Sequence, residues 1–132
     1  AEADEAIAID FRAAAPGAAT YEAYPDGIPS SGWGAVAVPG AVAGLALALE
    51  RYGTMTWEQV SRPAIRLAEE GFVVTETLEG VILDSYEKLL ADPELSAVYL
   101  QDGLPPMAGD VMRNEGLAYT LRVMAEQGPR AF

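Results

Sequence analysis

In the stretch "AIAIDFRAAAP" (Ala6–Pro16) an apolar alternation runs into Arg12, and the chain then leaves through small residues and a proline. A guanidinium offers a defined chemistry at such a place. Its rigid fork of N–H donors matches a carboxylate through two parallel hydrogen bonds, which an ammonium cannot reproduce. Asp10 stands two residues earlier, on the same face of an extended chain, so a solvent-exposed Asp–Arg pair is the competing reading. Such a pair contributes ~0–1 kcal/mol and implies no function. The pattern alone leaves both readings open and favours the pair as the commoner arrangement.

Little other chemistry is available. The chain has no Cys and no His, which removes thiolate nucleophiles, disulfides, the usual general base and the commonest metal ligand. Lys88 is the sole lysine, so reactive groups must come from Ser/Thr, carboxylates or Arg. Glu69, Glu70, Glu76 and Glu79 flank Gly71 without calcium-loop spacing and read as a solvated face. The glycines of "SGWGAVAVPG" precede a helix but match neither phosphate-binding nor dinucleotide spacing, so they read as a turn. Trp33 and Trp57 read as packing residues. A net charge of −12 opposes phosphate backbones and anionic lipid, so neither nucleic acid nor a membrane surface is an expected partner. The longest mainly apolar run, Ala35–Leu49, is too short to span a bilayer. The opening "AEADEA" has no basic region followed by an apolar one, and no signal peptide is expected there.

The elements that must position Arg12 follow from periodicity. Ile7, Ile9 and Phe11 alternate with small or polar residues, which predicts a short N-terminal strand, with residues 1–16 forming strand and turn. Turn signals fill residues 17–38, and residues 39–132 read as helical. The first helix, "PGAVAGLALALERYG", takes Pro39 in its first turn and ends at Gly53. Val42, Leu45, Leu49 and Tyr52 share a stripe, and the Ala/Gly remainder predicts burial on more than one side. A second helix starts after Thr56, with Gln59 completing a capping box, and should kink or break near Arg62 ahead of Pro63. A third runs from Thr75 or Thr77 to about Ala91, with Leu78, Ile82 and Leu89 inward. Asp92 is placed to cap a short turn opened by Pro93, and "AVYL" (Ala97–Leu100) is a weak strand candidate. An Asp-Gly turn follows, and a last helix runs from Asn114 to Gly128 with Leu117, Leu121 and Met124 on one stripe. One strand among about four helices leaves backbone groups unpaired, so the chain reads as a piece of something larger.

The ordered blocks "IDFRAAAP", "VPGAVAGLALALERYGTM", "RPAIRLAEEGFVV" and "GDVMRNEGLAYTLRVMAEQGPRAF" span nearly the whole chain and resemble the large subunit of the γ-glutamyltranspeptidases. The resemblance implies a mainly α segment with a short strand, belonging to the αββα sandwich of an N-terminal-nucleophile hydrolase. It implies a parent enzyme that cleaves γ-glutamyl amides such as glutathione through an acyl-enzyme and passes the acyl group to water, amino acids or peptides. By the same resemblance Arg12 is the substrate-binding residue, holding the donor's α-carboxylate. The catalytic nucleophile is then the N-terminal threonine of the small subunit, with its own amine as base, and Thr20, Thr54, Thr75 and Thr120 are not that residue. No metal and no cofactor is implied, and the isolated segment is expected to be inactive. The implied partners are the rest of the large subunit and the small subunit of the same precursor. Family members are usually periplasmic or secreted.

Two departures stand out: Ala13 where the family usually has Glu, and Ala41 where it usually has Thr. The first leaves open a related amide acylase or poly-γ-glutamate hydrolase. A reading from another class is a non-enzymatic helical interaction or oligomerisation module, pairing copies through the unpaired strand edge.

Overall fold

The computed structural model describes residues 6–132, so the acidic opening in which a leader was sought lies outside the described residues. The described residues form two compact units, one running to Trp57 with Phe132 and the other Glu58–Ala131.

In the first unit, residues 6–13 carry no ladder, and the expected strand is reduced to one antiparallel bridge, Ala14↔Val38. The Ala14 N–H donates to the Val38 carbonyl at 3.0 Å, and the Val38 N–H returns a bond at 2.8 Å. A strand needs a continuous partner for its backbone groups, and the loop that returns to Val38 supplies only one residue of it. That loop contains two 3₁₀ turns, Tyr21–Ala23 and Trp33–Ala35. Trp33 is 95% exposed, so the expectation that it packs is corrected.

Helix α1, Ala41–Tyr52, follows the loop. Its N-cap is Gly40, which leaves Pro39 just outside the helix rather than in its first turn. Ala and Leu dominate it, residues that lose little side-chain freedom in a helix. Leu45 and Tyr52 are exposed, and Gly44 is the helix's buried residue. The predicted burial on several sides is therefore replaced by one close approach at a glycine.

The second unit contains α2, Trp57–Glu70, from Glu58 onward. Its helical assignment is unbroken through Pro63, although the pyrrolidine removes one rung of its hydrogen-bond ladder. Gly71 at φ 99° ends it, and the chain enters β1, Phe72–Val73. This strand pairs antiparallel with β2, Val111–Met112, in the register Phe72↔Met112 and Val73↔Val111. Two residues per strand give too little alternation to be visible in the sequence.

Helix α3, Glu76–Asp84, is capped by Thr75, whose Oγ1 accepts from the Leu78 N–H at 3.2 Å. The single helix predicted to Ala91 divides at Ser85 into α3 and α4, Tyr86–Ala91. Helix α5, Pro93–Tyr99, opens where Asp92 Oδ1 accepts from the Glu94 and Leu95 N–H groups at 3.0 and 3.1 Å. This cap, with Pro93 preset for the first turn, draws residues 97–99 into helix and overturns the strand candidate there. Asp102 (φ 51°) and Gly103 (φ 81°) form the expected turn and close the bridge Gln101↔Leu104. Helix α6, Glu115–Gln127, is capped by Asn114 as predicted.

The core of this unit is Val74, Ile82, Leu100 and Met112, with Phe72, Leu78, Tyr86, Leu89 and Tyr99 packed around it. Burying each such side chain contributes about 1.5–3 kcal/mol. Leu78, Ile82 and Leu89 thus point inward as their spacing required. Among the described residues the architecture is six helices and one two-stranded sheet, a mainly α chain as the helical spacing predicted.

Candidate functional site

Arg12 is exposed and lines an open groove of about 490 Å³ formed by residues 9–13 and Pro39, Gly40 and Ala41. Among the described residues no side chain hydrogen-bonds or ion-pairs its guanidinium. The surface pair with Asp10 is not formed. Instead, Asp10 Oδ1 accepts from the Arg12 backbone N–H at 3.1 Å. The groove beside the guanidinium is walled largely by small and apolar groups.

The backbone that carries Arg12 is tightly placed against α1. A Cβ added to Gly44 would lie 2.5 Å from Phe11 Cδ1 and nearer still to its Cβ and Cγ. A Cβ on Gly40 would meet the Phe11 carbonyl oxygen at 2.6 Å and the Arg12 carbonyl oxygen at 3.3 Å. Two glycines one helical turn apart thus let residues 11 and 12 lie directly on the start of α1. Sequence reasoning identified a smooth helix but not this contact. Its signal was the four-residue spacing of Gly40 and Gly44, which places both on one helix face.

The other sequence candidates have structural roles. Thr75 caps α3, and the Thr120 Oγ1 donates to the Gly116 carbonyl at 3.0 Å. Glu69 pairs with Arg122, and Glu79 Oε2 accepts from the Ala108 N–H at 2.8 Å. These glutamates hold helices and loops, and no group of three His, Cys, Asp or Glu among the described residues is disposed to hold a metal ion. Trp57 is partly buried at the start of α2. Among the described residues, no helix is long and apolar enough to cross a membrane.

Helix order and site geometry can be set beside known proteins. The solved structure of the Helicobacter pylori γ-glutamyltranspeptidase superposes with a TM-score of 0.86 and 30% identity, covering 93% of this chain and 38% of that one. The fold is accordingly that of a segment of an N-terminal-nucleophile hydrolase. Glutathione hydrolase 3 of Arabidopsis thaliana is 38% identical over 130 residues, 97% of this chain and 20% of that protein. The Acylase ACY 1 proenzyme of Pseudomonas sp. (strain V22) is 40% identical over 138 residues, 95% of this chain and 25% of that protein. The family model described as Gamma-glutamyltranspeptidase matches residues 1–132. The chain belongs to the γ-glutamyltranspeptidase family. It spans a fifth to a quarter of the length of these curated relatives.

Proposed function

We propose that these 132 residues form one segment of the large subunit of an enzyme that cleaves γ-glutamyl amides, and that Arg12 holds the donor's α-carboxylate. The observation that carries this reading is the Arg12 guanidinium, unengaged by any side chain among the described residues, on the wall of an open groove, its backbone fixed by neighbours on both sides. A bidentate grip on the carboxylate would hold the γ-carbonyl at a constant place, which contributes to catalysis by positioning. The attacking threonine belongs to the small subunit in this reading, so the remainder of the large subunit and the small subunit are the partners. The acyl group then passes from a donor such as glutathione to water, an amino acid or a peptide.

The test compares Arg12→Ala with Arg51→Ala in the complete enzyme, using γ-glutamyl-p-nitroanilide. Arg51 lies in the last turn of α1, away from the groove lining. Loss of a charged bidentate contact should cost roughly 2–4 kcal/mol in kcat/KM, chiefly through KM. Arg51→Ala should change little. Equal and small effects would return Arg12 to an ordinary surface residue.

A second reading, amide acylase activity, is favoured by the 40% identity to the Pseudomonas acylase and by the Ala13 methyl beside Arg12. A wider acyl range in the same kinetic panel would support it.

A further inference from the structure

We propose that Asp10 is a positioning residue for the carboxylate clamp, acting through the Arg12 backbone by its oxygen acceptor and not through its charge. The proposal rests on the reading of Arg12 as the donor-binding group. Since no side chain among the described residues orients the guanidinium, its location is set by the main chain that bears it. That main chain is held from three directions. Phe11 sits over Gly44 and Gly40, the Ala14↔Val38 bridge ties down the following residues, and the Asp10 carboxylate closes a local loop onto the Arg12 N–H. The first seats residue 11 and reaches the Arg12 carbonyl, the second fixes residue 14, and the third holds the Arg12 N–H by a hydrogen bond.

The electrostatics sharpen the point. A negative charge two residues from a carboxylate-binding guanidinium opposes the ligand by Coulomb repulsion. Asp10 also lines the groove, so its charge lies near the space a donor would enter. A carboxylate there disfavours the bound anion through its charge, while its Oδ1 fixes the arginine backbone. The two effects separate cleanly, because an asparagine keeps the acceptor and removes the charge.

The experiment uses the complete, processed enzyme with two chromogenic donors, γ-glutamyl-p-nitroanilide and its analogue without the α-carboxylate, 4-aminobutanoyl-p-nitroanilide. The readout is the ratio of their kcat/KM values. Asp10→Ala should lower the ratio about tenfold through misplacement of the clamp. Asp10→Asn should keep the ratio or raise it. In an Arg12→Ala background, Asp10→Ala should have no further effect on the ratio. A general loss of folding would lower both donors together and leave the ratio where it was.

The inference is overturned if Asp10→Asn loses the ratio as Asp10→Ala does, if Asp10→Ala leaves the ratio intact, or if the loss persists without Arg12. The underlying reading fails separately, if Arg12→Ala by itself leaves the ratio at its starting value.

Discussion

Replacing Gly44 by alanine tests the packing on which the Arg12 site stands. In a solvent-exposed helix interior this change stabilises by up to about 1 kcal/mol, because alanine is the better helix former. At Gly44 the new methyl would lie 2.5 Å from Phe11 Cδ1 and closer to Cβ and Cγ, against an optimal carbon–carbon separation of about 3.5–4.0 Å. The overlap includes Phe11 Cβ, so rotating the ring cannot relieve it, and residues 10–12 must lift from α1. Overpacking of this kind typically costs about 1–3 kcal/mol. With the propensity gain subtracted, the net effect should be a loss of up to about 2 kcal/mol. Gly80, within α3, is the matched control, since a Cβ there meets nothing within 4 Å. Gly80→Ala should stabilise by about 0.5–1 kcal/mol. Urea unfolding of both variants gives the two signs, and amide exchange at Ala14, whose N–H makes the bridge to Val38, locates the damage. Should Gly44→Ala stabilise as much as Gly80→Ala does, the close seating of Phe11 is refuted, and with it the argument that α1 places Arg12.

Two further outcomes follow from particular contacts. Asn114→Ala removes the Oδ1 that accepts from the Leu117 N–H at 2.8 Å, and should cost ~1 kcal/mol in unfolding experiments, with Asn114→Ser recovering most of it. Glu22 should titrate below the usual glutamate range by NMR, since its own backbone N–H and then the Thr20 hydroxyl favour the charged form. A folded-state value depressed in this way stabilises the fold at pH above the ordinary glutamate range, and that contribution disappears as pH falls through the lowered value. Thr20→Val should move the titration back toward that range while leaving the larger backbone contribution in place.

Local signals carried much of this protein in the sequence. Asp92, Asn114 and Thr75 announce helix starts because a side-chain oxygen placed to accept an orphan N–H acts over three residues and needs nothing from the rest of the chain. The inward face of Leu78, Ile82 and Leu89 was legible for the same reason, since helical spacing alone puts them on a stripe. The ordered motifs also located Arg12 as the candidate clamp. What the tertiary structure decided depends on residues far apart in sequence. The pairing of Phe72–Val73 with Val111–Met112, the exposure of Trp33 and the reduction of the N-terminal strand to one bridge all turn on which partner a segment meets. The seating of Phe11 on Gly44 is of the same kind. Residue type and spacing fix what a group can bind, but how it is held follows only when distant backbone is brought within a few ångströms.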